Sequence, residues 1–174
     1  LTAGYDIENS LRYNDGDSPN LNITPGTATD DKKLTFSFWT KRSTPSITNK
    51  ILTRYTSATD RFYIGFGSSD KLILYQKVST TQSFNMQTSR LFRDPSAWYH
   101  IVVACDTTQS TDTNRIKLYV NGIQETSFST AALVSQNVDL YYQTATSVVA
   151  YIGEYNSTDH YDGYFSDIYF IDGT

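Results

Sequence analysis

The sequence is poor in the residues on which disulfide bonds, zinc sites and most active sites depend. It contains one cysteine and two histidines in 174 residues, and its glutamates are limited to Glu8, Glu125 and Glu154. A single cysteine cannot form a disulfide within the chain, and so few histidines and cysteines argue against zinc. Cys105 itself lies in an apolar run, which predicts a buried structural thiol. Stability is therefore expected to come from a hydrophobic core and from backbone hydrogen bonds.

Long apolar runs and an excess of positive charge are also missing from the sequence. No segment approaches the roughly 18 consecutive apolar residues that a membrane-spanning helix needs. With 14 Lys and Arg against 18 Asp and Glu, the formal net charge is −4, so the basic character of a nucleic-acid-binding protein is lacking. We therefore expect no nucleic acid partner and no membrane insertion.

The length of the chain predicts one domain of ordinary size. The sequence opens with Leu1 rather than methionine, shows no signal peptide and stops at Thr174. We expect residues 1–174 to form a single domain that is part of a longer polypeptide.

The composition that remains favours β-strands. The chain has 14 tyrosines and an aromatic content of 14%, and aromatic and β-branched residues are enriched in strands. Short apolar or alternating segments, bounded by turn residues, recur along the whole chain. They cover residues 10–14, 33–42, 50–55, 61–67, 71–76, 89–92, 101–105, 116–120, 147–155 and 164–171, with a further segment from Ile123. Residues 131–142 fit either a short helical turn or an irregular crossing.

The strongest local signal is Asn121-Gly122, which separates two of these segments. A two-residue type I′ turn requires positive φ at both central positions, which asparagine and glycine tolerate best. The resulting hairpin pairs Val120 with Ile123. Many short strands without a long helix predict an all-β fold, namely a two-sheet antiparallel β-sandwich or jelly roll.

Four segments, in their order along the chain, resemble the concanavalin A-like lectin/glucanase superfamily in its laminin-G and pentraxin-like branch. They are LTFSFWTKR (34–42), WYHIVVACD (98–106), KLYVNG (117–122) and YIGEYN…DGYFSDIYFIDG (151–173). The opening SLRYNDGDSPNL and the closing FSDIYFIDG further resemble modules in structural proteins of tailed phages, especially those of marine bacteria. The resemblance implies two stacked, curved antiparallel sheets. It also implies a virion component that contacts a host surface or decorates the particle.

One departure from the resembled family concerns calcium. Its members often carry consecutive acidic residues at the start of the last strand, in a pattern such as G-x-I-D-D/E, whereas residues 163–167 keep only the second acid. Calcium binds several oxygen ligands, and the loops 106–114 and 156–162 supply them. The candidate calcium ligands are Asp106 and Asp112 in the first loop, and Asp159 and Asp162 in the second. Solvated polar loops without a metal are the alternative.

The sequence offers no recognisable catalytic group. The glucanase branch of the resembled superfamily places acids at alternate positions of one strand, so that one can attack while another donates a proton. Neither Glu125 nor Glu154 has an acidic residue two positions away. His100, at the start of a core strand, is expected to be a packed structural histidine, and nothing near His160 reads as a nucleophile elbow. We therefore predict that the chain is not an enzyme, and a glycoside hydrolase is the least favoured hypothesis.

The loop 154–164 holds the richest cluster of aromatic and polar side chains. A glycan site needs aromatic surface for the C–H groups of the sugar and amide or carboxylate groups for its hydroxyls. The candidate glycan contacts are Tyr155, Asn156, Asp159, His160, Tyr161 and Tyr164. The alternative is that these tyrosines pack a subunit interface or cover the sandwich. Trp39 and Trp98 are expected in the core or on a sheet face.

Two functional hypotheses follow from these residues and from the resemblance. In the first, the chain is a non-enzymatic module of a phage virion, in a tail fibre or a head decoration, and adheres to polysaccharides of the bacterial surface. In the second, the same sandwich is purely structural and binds neighbouring capsid or tail proteins without a sugar. Both hypotheses place the protein on the virion surface with other virion proteins as partners, and a homo-oligomer such as a trimer is the expected state.

Overall fold

The computed structural model describes residues 6–173, which fold into two antiparallel β-sheets around a shared core. The strands are β1 (Leu11–Tyr13), β2 (Leu21–Ile23), β3 (Lys33–Arg42), β4 (Asn49–Tyr55), β5 (Arg61–Phe66), β6 (Leu72–Val78), β7 (Thr81–Thr88), β8 (Tyr99–Asp106), β9 (Ile116–Val120), β10 (Ile123–Glu125), β11 (Phe128–Ala132), β12 (Ala150–Ile152) and β13 (Gly163–Asp172). There are also two 3₁₀ turns, Asp15–Asp17 and Asp112–Asn114, and one short helix, α1 (Tyr141–Thr144). No helix within the described range is long and apolar enough to cross a membrane.

The strand order links the beginning of the chain to its end. The six-stranded sheet has the order β1-β13-β3-β8-β9-β10, and the seven-stranded sheet has the order β11-β7-β6-β5-β4-β12-β2. Strands β4 to β7 follow one another as a meander, whereas β1 pairs with β13 and β2 with β12. This architecture confirms the predicted all-β antiparallel sandwich.

β3 shows how an alternating sequence builds the core. Its side chains alternate between half-buried and buried positions along all ten residues, as expected for a strand with one face on a core. Phe36 packs against Phe62 of β5 and Tyr142 of α1, with ring centroids 6.3 and 4.8 Å away. β3 pairs with β13 on one side and with β8 on the other, so it connects the two halves of the six-stranded sheet.

The predicted hairpin at Asn121-Gly122 is confirmed. The two residues have φ angles of 52° and 78°, positive as a type I′ turn requires, and Val120 pairs with Ile123. Since β9 also pairs with β8, the hairpin places β10 at the edge of the six-stranded sheet.

Three strands, β7, β2 and β11, differ from the sequence-based expectation, and none of the five residues of β11 is buried. Residues 89–92 are irregular, and the strand lies before them, as β7. The sequence pattern does not predict β7, because only Phe84 and Met86 among its eight residues belong to the hydrophobic core. β2 is missed for a related reason, since all three of its residues are exposed. The ambiguous segment 131–142 runs from the end of β11 into the helical turn α1.

A buried ion pair joins three loops at one end of the sandwich. Arg42 and Asp70 are 0% and 1% exposed, and Nη1 of the first lies 3.0 Å from Oδ1 of the second. The carboxylate of Asp70 also accepts hydrogen bonds from the backbone N–H of Ser46 and from Nε of Arg93. Nη1 of Arg42 also donates a hydrogen bond to the carbonyl oxygen of Phe92, at 2.8 Å. The pair therefore ties the end of β3 to the β5–β6 turn and to the segment after β7.

We expect the thiol of Cys105 to be inert in the folded protein. The residue is 2% exposed in β8, and burial raises the pKa of its thiol to about 12, so the reactive thiolate is scarcely populated at neutral pH. A colorimetric disulfide reagent at about pH 8 is expected to label no thiol in the native protein and one per chain after denaturation. Stoichiometric labelling of the native protein within minutes contradicts the buried position.

Candidate functional site

The structure divides the tyrosines of the predicted glycan loop among three locations. Tyr155 lies on the outer face of the seven-stranded sheet, against rings of β4 and β5. Tyr161 lies in the core, and Tyr164 lies on the outer face of the six-stranded sheet. The loop between β12 and β13 crosses from one sheet to the other, so its successive tyrosines reach different surfaces. The predicted contacts therefore do not form one site.

Tyr161 requires a correction. Its side chain is fully buried, its ring stacks on Phe165 with centroids 4.3 Å apart, and its hydroxyl lies 2.6 Å from Oγ1 of Thr40. Its backbone N–H donates to the carbonyl oxygen of Gly153 at 2.8 Å, which directs the chain back into the sandwich. The prediction that Tyr161 contacts a glycan is wrong, because the ring is part of the core.

Tyr164 belongs to a separate surface. It is half-buried on β13 and pairs in register with Arg12 and Lys41. The Cζ atom of Arg12 and the Nζ atom of Lys41 lie 5.4 and 5.3 Å from the centroid of its ring. Trp98 lies 6.4 Å from the same ring, and Trp39 of β3 is half-buried on this face between core-facing neighbours. These aromatic residues lie on the side of the sandwich opposite to Tyr155.

The remaining residues of the predicted loop lie beside β4. Asn156 and Asp159 are exposed and have φ angles of 51° and 45°. The backbone N–H of Lys50 donates to the carbonyl oxygen of Asp159 at 3.3 Å, and Nδ2 of Asn49 donates to the carbonyl oxygen of His160 at 3.1 Å. These bonds hold the loop against the seven-stranded sheet, where the roles predicted for Asn156, Asp159 and His160 stay predictions.

Four tyrosines come together on the outer face of the seven-stranded sheet. We call them the tyrosine platform: Tyr55 of β4, Tyr63 of β5, Tyr75 of β6 and Tyr155 of the β12–β13 loop. Tyr63 and Tyr75 are cross-strand partners whose rings stack, with centroids 5.0 Å apart and planes at 16°. Tyr155 packs edge-to-face on Tyr63 at 5.8 Å and on Tyr55 at 5.0 Å. All four are half-buried, so each ring is held by another while part of it stays accessible.

A small residue of β4 lets the loop lie on the sheet. Thr53 is the cross-strand partner of Tyr63, and its hydroxyl donates to the carbonyl oxygen of Glu154 at 2.7 Å. This bond fixes the backbone next to Tyr155 above β4. The platform therefore depends on both the strand register and the loop conformation.

Two cations flank the platform. Nζ of Lys50 lies 4.3 Å from the ring centroid of Tyr63 and 5.8 Å from that of Tyr155, and Cζ of Arg61 lies 5.3 Å from that of Tyr75. Burial lowers the pKa of Lys50 and raises the pKa of Tyr63 to about 12. The phenol is therefore neutral at physiological pH. The surface combines neutral hydroxyls with positive charge.

Sequence reasoning missed most of this surface, although a signal for it exists. Pairing the segments 61–67 and 71–76 through a turn at 68–70 sets Tyr63 opposite Tyr75 and places Arg61 on the same face. Tyr155 is the one platform residue among the predicted glycan contacts.

The two loops predicted to bind calcium are separate candidates at distant places in the fold, and the calcium roles of their aspartates stay predictions. Asp106 pairs with Lys33, the first residue of β3, whereas the carbonyl oxygen of Asp162 accepts a hydrogen bond from the backbone N–H of Ser43, just after the end of β3. Because ten residues of strand span about 30 Å, the two aspartates lie near opposite ends of β3. Asp112 belongs to the first of these loops and Asp159 to the second. The carboxylate of Asp106 accepts hydrogen bonds within its own turn. Over residues 6–173 no group of three or more His, Cys, Asp or Glu is placed to hold a metal ion.

Several solved structures share this fold at low sequence identity. The CBM40 of the Ruminococcus gnavus IT-sialidase bound to α2,3-sialyllactose is 12% identical with a TM-score of 0.60, over 95% of this chain and 92% of that one. The native heptameric SAP-like pentraxin from Limulus polyphemus is 15% identical with a TM-score of 0.55, over 96% and 77%. The K499G mutant of NanB sialidase from Streptococcus pneumoniae is 15% identical with a TM-score of 0.66, over 93% of this chain and 25% of that one. The chain thus spans about a quarter of the sialidase, and at these identities the likeness is one of fold.

The family assignment comes from the sequence itself. No curated protein matches the chain in a sequence comparison. A laminin G-type sequence model, described as the concanavalin A-like lectin/glucanases superfamily, matches residues 15–174. This range contains twelve of the thirteen strands, β2 to β13. The chain therefore belongs to the concanavalin A-like lectin/glucanase superfamily.

Proposed function

We propose that the chain is a non-catalytic glycan-binding module whose binding surface is the tyrosine platform. The observation that carries the proposal is the convergence of four half-buried tyrosines and two cations on one sheet face. A tyrosine offers an apolar ring to the C–H groups of a sugar and a hydroxyl to its polar groups. The rings already hold one another in place, so binding costs little additional side-chain entropy. A neighbour in fold, the CBM40, has been solved with a sialylated sugar, which supports the proposal.

The contacts of Glu154 and Glu125, the two glutamates considered above as catalytic acids, support a non-catalytic role for the chain. Glu154 is buried and accepts hydrogen bonds from Nδ2 of Asn20 and the backbone N–H of Ser157. Glu125 lies on β10 of the other sheet and forms an ion pair with Arg90, with 2.7 Å between Nε and Oε2. Each carboxylate is thus engaged in structural contacts on a different sheet, whereas glycoside hydrolysis needs two carboxyl groups flanking one bond.

Replacing Tyr155 by alanine is expected to weaken glycan binding about tenfold, because it removes the ring that joins the loop to the platform. Titration calorimetry with the tightest binder from a panel of bacterial polysaccharide fragments measures the change. Tyr164→Ala is the matched control, since Tyr164 is also a half-buried tyrosine but lies on the other sheet. Equal losses in both variants, or no loss in Tyr155→Ala, contradict the proposed location.

We further propose that the module acts on the surface of a phage particle, as an oligomeric adhesion element of a tail fibre or head fibre. The resemblance of the segments SLRYNDGDSPNL and FSDIYFIDG to phage structural modules supports this setting. Antibody labelling of particles in the electron microscope tests it. Density at the tail tip agrees with adhesion. If the module sits on the shell and no glycan binds at millimolar concentration, it is a structural decoration instead.

A further inference from the structure

Lys50 is a largely buried lysine whose ammonium group has no ion-pair partner among the described residues. Lys50 is 6% exposed, and its closest characterised neighbours are the rings of Tyr63 and Tyr155. Within residues 6–173 its Nζ atom forms none of the ion pairs, and it is not among the fully enclosed side-chain atoms that lack a hydrogen-bond partner, so it keeps access to solvent. Asp159 attracts it only from beyond ion-pair distance. A buried cation without a partner is costly, and lysines ordinarily extend the ammonium into water.

The sheet is built so that Lys50 lies in this position. A Cβ atom at Gly65 of β5 would approach the carbonyl oxygen of Asn49 to 2.5 Å and Cδ of Lys50 to 3.0 Å. The absence of a side chain at Gly65 therefore leaves the space in which the stem of Lys50 crosses β5 toward Tyr63. A side chain at position 65 would clash with the backbone of β4 as well as with the stem of the lysine.

A second cation adds to the positive charge. Arg61 lies over the ring of Tyr75, and its Nε atom is buried without a hydrogen-bond partner in the described part of the chain. Its charge is close enough to Lys50 to disfavour the ammonium form there. Two like charges are thus held near each other on the platform, and although Arg61 also interacts with the hydroxyls of Tyr75 and Tyr155, neither cation has an anionic partner among the described residues.

We infer that the ligand of the platform is an acidic saccharide, whose carboxylate or sulfate is bound by Lys50 with Arg61. This inference rests on the proposed function and names the class of its ligand. An oxyanion supplies the negative charge that both cations lack, and charge-assisted hydrogen bonds to it are shorter and stronger than neutral ones. The rings of Tyr63 and Tyr155 lie beside Lys50, and their phenol hydroxyls bind the neutral hydroxyls of the sugar.

The test compares acidic saccharides with their neutral counterparts by titration calorimetry. α2,3-Sialyllactose is paired with lactose, an oligogalacturonate with its methyl ester, and a sulfated oligosaccharide with its desulfated form, which separates carboxylate from sulfate. The acidic member of at least one pair is expected to bind about tenfold more tightly, and less tightly as salt is raised. Lys50→Met is expected to abolish this preference, so that the acidic and the neutral member of the pair bind the variant with affinities within about twofold of each other.

Lys41→Met is the matched control, because Lys41 also lies over a tyrosine ring, at 5.3 Å, but on the other sheet. It removes the same charge and is expected to change the affinity by less than about twofold. Arg61→Gln provides a second variant if Lys50→Met perturbs the fold by circular dichroism. It is expected to weaken acidic sugars selectively.

The outcomes separate this inference from the proposed function. If acidic and neutral sugars bind equally and only Tyr155→Ala weakens them, the acidic ligand is wrong while the glycan-binding surface stands. If Lys41→Met and Lys50→Met cause equal losses, the effect is one of net charge and the inference is overturned. If no sugar binds the folded protein, both proposals fail.

Discussion

Replacing Asp70 by asparagine is expected to lower the free energy of unfolding by about 3–5 kcal/mol, the cost of leaving a buried charge without its partner. The change keeps the size of the side chain and suits the φ angle of 64° at this turn position. It nevertheless leaves the guanidinium of Arg42, which is fully buried, without a carboxylate. For a domain of this size the melting temperature should fall by about 6–20 °C, as measured by thermal and denaturant unfolding.

Asp139→Asn is the matched control for this prediction. Asp139 forms an ion pair with Lys32 at 2.8 Å, but both side chains are substantially exposed. Solvent screening makes such pairs worth at most about 1 kcal/mol. If the two variants lose similar stability, the buried pair has no special role.

The same carboxylate contributes to acid unfolding. Burial alone raises the pKa of Asp70, but hydrogen bonds from Ser46, Arg93 and Arg42 hold it below its usual value. A group with a depressed pKa in the folded state stabilises the protein above its unfolded pKa of about 3.9, and this stability is lost as the pH falls through the folded value. Asp70→Asn should lack that part of the acid transition.

Replacing Tyr161 by alanine is expected to cost about 3–5 kcal/mol of stability, because it leaves a cavity where a ring packs on Phe165. The expected effect on glycan affinity, corrected for the folded fraction, is none, since the ring is 0% exposed. Chemical denaturation measures the first quantity and titration calorimetry the second.

Tyr161→Phe distinguishes the ring from its hydroxyl. The ring stays in place, while Oγ1 of Thr40 loses the partner that lies 2.6 Å away, at a cost of about 1 kcal/mol. If either folded variant loses sugar binding while Tyr155→Ala does not, the ligand is recognised by the part of the β12–β13 loop around Tyr161 and not by the tyrosine platform.

Local patterns predict most of the strands but not all of them. The alternation of Leu34, Phe36 and Phe38 with polar neighbours predicts both the span of β3 and its buried face. Asn121-Gly122 predicts a hairpin because the φ angles of its turn suit few other residue types. Local patterns do not predict β7, because its sequence is largely polar and it becomes a strand by pairing with β6.

The site depends on relations that local patterns do not contain. Tyr155, Tyr161 and Tyr164 are close in sequence but lie on three different surfaces, because the loop that carries them crosses the sandwich. Tyr63 and Tyr75 meet only through the register of β5 and β6. The sequence interpretation therefore identified Tyr155 of the candidate site but not the stacked pair of Tyr63 and Tyr75.

A similar limit applies to the buried ion pair. Asp70 follows two serines in a short connection, where an aspartate is ordinarily a turn former. Its partner Arg42 ends a strand 28 residues earlier, and nothing in the sequence between them marks the two as partners. Their association becomes evident only once β3 and the β5–β6 turn are placed side by side.

The pairing of early strands with late ones also sets the timing of assembly during synthesis. Strands β4 to β7 contact their neighbours in sequence, so they can form hairpins within microseconds of leaving the ribosome. The first strand must wait, because Leu11 pairs with Phe165. One edge of β3 consequently stays unpaired until β13 has been synthesised, the interval in which chaperones best protect it.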